Sequence, residues 1–518
     1  MNAITPLIPG FGDYSFPEGK SLAQIQTCAK VQKIFFAVIF GLFTALSFFL
    51  IPASLPLAVI GIATFSYQTV KALLNAVGLF YRAKPMQQLF PKTTLEALPP
   101  LNLTCQKPCS GFATRDATES QQWKLNLIRE AKYAILFSGC YCGGKSFDET
   151  LDLIQERMRQ LPQLTTSILS SDMFITAENK KRIAAMTQEF GPRFTCVVTP
   201  EVFPFVSPTT DRLSLSTNHT KALIIDYGAA FMMGGSGMVS SWSEQKGETA
   251  PEQVEPHGLF YDHVMKTKAY RDMDFVFQAP ELNGTGTLLH TEMTKLHERF
   301  RYRKEPPAPI TSWPIRVEPL AMPNALPDLK LALYASGPEQ PSTAFLDAVI
   351  EEIQKAKESV YIGHMYFHPT PKLQKALLDA TNRGIQVTIE TNKLGNQSPG
   401  SHLAFTELSR YYAKSLFEGK AKPNLHLHEY DVPYTTYHKK VIVIDRKTTF
   451  GGSSNIGQKS LDASDYEINF KVESPDFAQS VIQNLEEDQR FCKSDSEPHI
   501  SLKTRLLSSV QSHLTPFL

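Results

Sequence analysis

His219, Lys221 and Asp226 follow the spacing His-x-Lys-x4-Asp, and His438, Lys440 and Asp445 repeat it. Each set is followed closely by Gly-Gly-Ser, at residues 234–236 and 451–453. Imidazole attacks electrophiles and moves protons near neutral pH, while ammonium groups hold anionic oxygens, so the doubled set points to phosphodiester chemistry. One accidental match is expected in roughly a few chains per hundred, but two with similar apolar filling and a similar glycine turn are not accidental.

Residues two apart on a strand share a side, which puts His219 with Lys221 and His438 with Lys440, and turns Thr220 and Lys439 away. The apolar runs 222–225 and 441–444 form the buried body of each strand and fix the His-Lys pair at its end. The motifs align at an offset of 219, and residues 127–136 resemble residues 352–361, each reading as a helix end feeding a buried strand. A helix over 371–383 followed by an alternating strand over 384–390 gives βαβ order, which predicts an α/β fold of two sandwich halves. Prolines at 306, 307, 309, 314, 319, 323 and 327 exclude a regular helix or central strand between the halves. The expected organisation is therefore a first half over 104–303, a Pro-rich linker over 304–330, a second half over 331–495 and a tail over 496–518.

Ahead of the halves, residues 1–33 are mixed and polar. Residues 34–51 carry no charge, and after Pro52 and Pro56 a second apolar stretch runs to about residue 79 with Lys71 as its one charge. As a single helix, residues 34–79 would be about 69 Å long, against a hydrocarbon core of about 30 Å. Two spans joined at the prolines, a hairpin over 34–83, fit that thickness; a buried helical hairpin in a soluble domain is the alternative. Lys30 and Lys33 before it, and Arg82 and Lys84 after it, place both ends on the cytosolic side.

The two motifs, with Gly451-Gly-Ser-Ser-Asn455 after the second, resemble those of the phospholipase D superfamily, over most of residues 104–491. The hydrophobic segment ahead of them further resembles chlamydial membrane-associated phospholipase D-like proteins. The resemblance implies two halves packed about a pseudo-twofold axis and a two-step, metal-free mechanism with no cofactor. One neutral imidazole attacks phosphorus to form a phosphohistidine; the other protonates the leaving alkoxide and then serves as base. It assigns His219 as nucleophile and His438 as acid, and Lys221 and Lys440 to the nonbridging oxygens. Ser236, Ser453 and Asn455 are candidate phosphate contacts, and Met238 stands where the first half would match Asn455. Asp272 and Glu467 resemble the carboxylates that orient histidine. Glu467 lies 29 residues past His438, whereas Asp272 requires an insertion around 244–263. Asp226 and Asp445 belong to the catalytic motif, yet a purely structural role at a turn suits them equally. Tyr141 and Tyr366 occupy matching positions as pocket-lining or core aromatics, and His364 and His368 read as strand residues with satisfied hydrogen bonds.

The expected function is a membrane-anchored phospholipase D-type phosphodiesterase that hydrolyses or transfers a phosphatidyl group, with phospholipid as substrate. Cardiolipin synthase-like transfer, nuclease action and a noncatalytic lipid- or partner-binding protein are the alternatives. With 52 basic and 51 acidic residues, the net charge of +1 gives no overall field that would steer nucleic acid, which makes that partner the weaker choice. The seven cysteines show no paired CxxC groups with a histidine cluster, so no zinc site is expected, and their odd number suits a reducing compartment. Oligomeric state and export to a host-derived membrane stay open at this level.

Overall fold

The computed structural model describes residues 102–104, 108–139, 141–171, 174–199, 203–206, 213–239, 246–248, 269–279, 284–300, 320–337, 342–393, 407–461 and 465–511, together with Val38, Gly41, Leu42, Thr44, Ser66 and Thr69. The polar segment 1–33 and the hairpin 34–83 lie outside the described residues, apart from those six, each of which is helical. Among the described residues no helix is long and apolar enough to cross a membrane.

The strands of the first half are β1 (Asn102–Thr104), β2 (Cys109–Ala113), β3 (Ala134–Gly139), β4 (Thr165–Ser171), β5 (Phe194–Thr199), β6 (Phe203–Val206), β7 (Leu213–Ser216), β8 (Lys221–Ile225), β9 (Ala230–Gly234), β10 (Ala269–Arg271) and β11 (Asp274–Gln278). The second half continues with β12 (Leu326–Ser336), β13 (Ser359–His364), β14 (Gln386–Asn392), β15 (Leu425–Tyr430), β16 (Thr435–Tyr437), β17 (Lys440–Ile444), β18 (Thr448–Gly452), β19 (Glu467–Glu473) and β20 (Cys492–Asp495). The chain divides into two units. Residues 1–96 with 202–216 form one, whose described strands are the antiparallel pair β6 and β7. Residues 97–201 with 217–518 form the other and hold both motifs.

One mixed sheet runs through this second unit. From β12 outward the order is β12, β19, β18, β17, β13, β14, β15, with β20 at the edge; from β2 outward it is β2, β11, β9, β8, β3, β4, β5. The two orders correspond strand for strand, and β2 pairs antiparallel with β12 where they meet. β3, β4 and β5 run parallel, as do β13, β14 and β15, joined by the helices Gly144–Gln160 and Ala177–Phe190 in the first set and Pro371–Asn382 and Glu407–Ser415 in the second. That is the βαβ order expected. Thr370 starts one of these helices by accepting from the Leu373 N–H, with Pro371 in the first turn where its missing N–H costs nothing. Val360, Ile362, Ile389, Ile442 and Ile444 face one apolar core, and Ile135, Phe137, Ile168, Leu223 and Ile225 its counterpart. Each such buried side chain contributes roughly 1.5–3 kcal/mol.

One expected boundary is corrected. The linker was drawn to 330, but β12 begins at Leu326 and lies centrally between β19 and β2. Pro327 is tolerated there because the register shifts between Leu326 and Leu329, and Asp328 takes a φ of 57° in this bulge. The tail holds the helix Leu502–Gln511, which packs on Glu407–Ser415 and is tied there by the Leu408 N–H donating to Gln511 Oε1 at 2.6 Å.

Candidate active site

Both histidines sit two residues before their strands begin, and both are buried, at 7% exposure for His219 and 3% for His438. Their backbones are held by the opposite half. The His219 N–H donates to the Tyr466 carbonyl at 3.0 Å, and the His438 N–H to the Arg271 carbonyl at 2.8 Å. The carboxylates cross over in the same way: His219 Nδ1 lies 2.9 Å from Glu467 Oε1, and His438 Nδ1 lies 2.7 Å from Asp272 Oδ2. Each half supplies the residue that orients the other half's ring. A carboxylate on Nδ1 holds the proton there and leaves Nε2 as the reactive nitrogen. The chain distance from each carboxylate to the histidine of its own half is therefore irrelevant, and Asp272 is as well placed as Glu467 despite the insertion before it.

Lys221 Nζ donates to the His219 carbonyl at 3.0 Å and lies 5.5 Å from the Tyr141 ring centroid. Lys440 Nζ donates to the His438 carbonyl at 2.9 Å and sits 3.1 Å from both ring nitrogens of His438. Burial, then the charges of Lys440, Lys221 and His219, hold His438 well below the usual histidine range. The cations of both halves thus act on one ring. Burial pushes Glu467 up to about 7, against the pull of Lys221 and hydrogen bonds from Ser453 and Ser460.

Asp226 and Asp445 are elsewhere. At about 3.3 Å per residue, seven residues separate each from its histidine by roughly 20 Å. Asp226 accepts the N–H groups of Lys132, Tyr133 and Ala134 at 2.7–3.1 Å, and Asp445 those of Lys357, Glu358 and Ser359 at 2.8–3.1 Å. They pin the helix-to-strand turn of their own half, and their φ values of 47° and 50° start the turn into the next strand. Their expected catalytic membership is corrected to this anchoring geometry.

The glycine turns also need realignment. The loop from β8 to β9 has four residues, 226–229, where that from β17 to β18 has three, 445–447. The offset drops from 219 to 218, so Gly235 matches Ser453, Ser236 matches Ser454, Gly237 matches Asn455, and Met238 matches Ile456. The bridges Cys142 to Met238 and Phe367 to Ile456 agree with this register. Met238 is core, and a side chain at Gly237 would clash with the Tyr141 carbonyl, so the first half has no room for an amide. Ser453 Oγ donates to Glu467 Oε2 at 2.5 Å, while a side chain at Gly235 would clash with Asp272. A long carboxylate with a serine thus balances a short one with a glycine.

Ser236 is not positioned as an open phosphate donor. Its hydroxyl bonds Asp274 and receives Lys124 Nζ at 2.6 Å, and Lys124 pairs with Asp274 at 3.2 Å, all buried. The second half has the neutral Asn469 in Asp274's place, with Asn469 Oδ1 accepting from the Ser454 N–H at 3.0 Å. The side-chain oxygen of Asn455 has no hydrogen-bond partner among the described residues, which leaves it able to accept one. Sequence reasoning missed Lys124 and Asp274, although Asp272-Met-Asp274 and Glu467-Ile-Asn469 share the same two-residue spacing. His364 ends β13, whereas His368 lies past that strand, which corrects its strand reading, and its Nε2 bonds Ser409 Oγ at 3.0 Å; the Nδ1 of His364 is buried without a partner among the described residues. The satisfied reading of His364 is corrected on that observation.

Residues 349–489 match the family described as "Cardiolipin synthase, PLD-like domain". Cardiolipin synthase A of Pseudomonas putida is 30% identical over 202 residues, covering 38% of this chain and 39% of that protein. These matches place the chain in the phospholipase D superfamily. A cardiolipin synthase of Geobacillus thermodenitrificans is 26% identical over 196 residues, 36% of this chain and 35% of that protein. This superfamily member thus spans a little over a third of the length of the curated relatives it matches. The solved phosphatidylserine synthase of Haemophilus influenzae superposes with a TM-score of 0.53 at 14% identity, over 84% of this chain and 97% of that one, a likeness of fold.

Proposed function

We propose that this chain exchanges phosphatidyl groups between alcohols through a phosphohistidine, with phospholipid as substrate and no metal or cofactor. The reciprocal carboxylate crossing carries this reading, because it sets two equivalent, Nε2-reactive imidazoles with a lysine beside each. His219 attacks phosphorus while Lys221 and Lys440 hold the nonbridging oxygens. His438 protonates the leaving alkoxide and later takes the proton of the incoming alcohol. The cations that depress His438 are the ones a bound phosphodiester anion offsets, so substrate binding itself arms this acid. Asn455 would donate its side-chain N–H to a phosphate oxygen.

Three further observations support transfer over a noncatalytic role. Both His-Lys pairs are intact, both rings have their carboxylate, and Met238 is a core counterpart of Ile456 rather than a lost phosphate contact. The apolar pattern of residues 34–83 supports anchoring at a bilayer, with the catalytic unit on the cytosolic side, where headgroups reach high effective concentration. The relatives' names, cardiolipin synthase and phosphatidylserine synthase, favour transfer over hydrolysis.

The test is turnover of labelled phosphatidylglycerol in mixed micelles with an added alcohol, for the full chain and for His219→Ala and His438→Ala. Transfer product lost in both variants supports the reading. Water-only products would replace transfer by hydrolysis, and turnover surviving either substitution at more than about a thousandth of the original rate would overturn the mechanism.

A further inference from the structure

The two halves differ in a further position next to the reacting groups. In the second half β13 pairs antiparallel with β17, and His364 is the direct partner of Lys440. In the first half the corresponding partner of Lys221 is Gly139. Met365 N–H donates to the Lys439 carbonyl at 3.1 Å, so His364 and Lys440 form the neighbouring, non-hydrogen-bonded pair. Such pairs bring Cβ atoms to about 4.5–5.5 Å on one face of the sheet. His438 is two residues from Lys440 and shares that face. A third imidazole therefore stands beside Lys440 on the His438 side. Gly139 leaves that place to Phe137 and Cys142, whose side chains a Cβ there would strike.

His364 is 4% exposed, and its Nδ1 lacks a hydrogen-bond partner among the described residues. A buried polar atom left unpaired costs about 1–3 kcal/mol, so one standing beside the reacting groups calls for an explanation, and a bound hydroxyl supplies one. Burial, Lys440 and His438 keep this ring neutral, so it presents one donor and one acceptor. Resting on the reading above, we propose that His364 recognises the alcohol exchanged on the His438 side, and that this alcohol is a polyol of the glycerol type, with neighbouring hydroxyls.

In the second step the P–N bond to His219 breaks and its electron pair returns to Nε2. The oxygen of the incoming alcohol forms the new P–O bond, and its proton passes to Nε2 of His438. His364 transfers no proton. It hydrogen-bonds the adjacent hydroxyl, which ethanol and water lack. The first half needs no such group, because the phosphatidyl side stays attached to phosphorus throughout. By microscopic reversibility the same contact serves a glycerol headgroup as it leaves.

The test measures transfer from unlabelled phosphatidylglycerol to isotope-labelled glycerol and to isotope-labelled ethanol in parallel, for the full chain, His364→Gly and His364→Asn. We expect the glycerol-to-ethanol ratio to fall about fivefold in His364→Gly, the value of one net hydrogen bond, mainly through the KM for glycerol. His364→Asn, which keeps a donor and an acceptor and a smaller cavity, retains most of the ratio. An unchanged ratio in His364→Gly, or equal loss with both alcohols in both variants, overturns the proposal while leaving phosphatidyl transfer intact. Absence of transfer to either alcohol by the unsubstituted protein would instead remove the underlying reading, and the proposal with it.

Discussion

Replacing Asp488 by Asn tests how the His438 side is held. Asp488 ends the helix Pro475–Asp488 and is fully buried; its carboxylate receives Arg271 Nε at 2.7 Å and the ammonium of Lys439. Arg271 precedes Asp272, and Lys439 lies between His438 and Lys440, so one carboxylate ties together the backbones that carry the His438–Asp272 pair. Arg271 and Lys439 are 2% and 0% exposed. With Asn at 488, Arg271 keeps the half-exposed Glu248 at 3.2 Å and Lys439 keeps Asn484, but neither retains its buried counter-charge. Breaking such a pair costs about 3–5 kcal/mol, a large share of a native stability of about 5–15 kcal/mol. The pH dependence adds a sign. Burial already lowers Lys439, and Asp488 opposes that shift, so the substitution lowers it further. A lysine whose folded value lies below its unfolded value gains stability as pH rises toward 10.5, so the deficit should narrow between pH 7 and 9.5. Guanidinium unfolding of both proteins at the two pH values measures this. A loss under about 1 kcal/mol, or a deficit that widens with pH, refutes the reasoning.

The remaining expectations concern turns and acid response. Asp445→Ala and Asp226→Ala should each lose about 1–3 kcal/mol through the unpaired turn N–H groups, more for the buried Asp226, with kcat per folded molecule within about twofold; a hundredfold loss of kcat would restore them to the reaction. Unfolding midpoints between pH 4.5 and 8.5 should peak near pH 6.5. Above it, Glu467 at about 7 and Glu390, which burial and Asp488 push up to about 8, give stability that is lost as pH rises. Below it, His438 and His364, held well down, and His290, which burial lowers to about 4, outnumber those two carboxyls, so stability is lost as pH falls. A midpoint that climbs steadily to pH 4.5 contradicts these shifts.

The duplicated His-x-Lys, the βαβ order and the apolar strand bodies were legible because each depends on local spacing, of two residues for the strand and of one helix between parallel strands. The crossing of Glu467 to His219 and of Asp272 to His438 was not, since a carboxylate's distance along the chain says nothing about which half it faces. Met238 fell into the wrong match because the two Gly-Gly-Ser runs were laid on each other, at an offset of 217, whereas the turn after β8 holds only one residue more than its counterpart and sets the offset at 218. Asp226 and Asp445 were drawn toward the site by motif membership, although seven residues of extended chain carry them to the far end of the strand. Pro327 misled for a related reason: a proline excludes a regular central strand, but a bulge with Asp328 in the left-handed region accommodates it.

The central claim is that His219 becomes covalently phosphorylated while His438 handles the proton. In His438→Ala the leaving alkoxide must take its proton from water, which slows formation of the P–N bond, and resolution of that bond lacks a base. Mass spectrometry of base-stabilised digests after incubation with phosphatidylglycerol should then show a phosphatidyl group on His219, absent from His219→Ala. Its absence from His219 in a sample that has released the headgroup, or its appearance on another residue, would contradict the account.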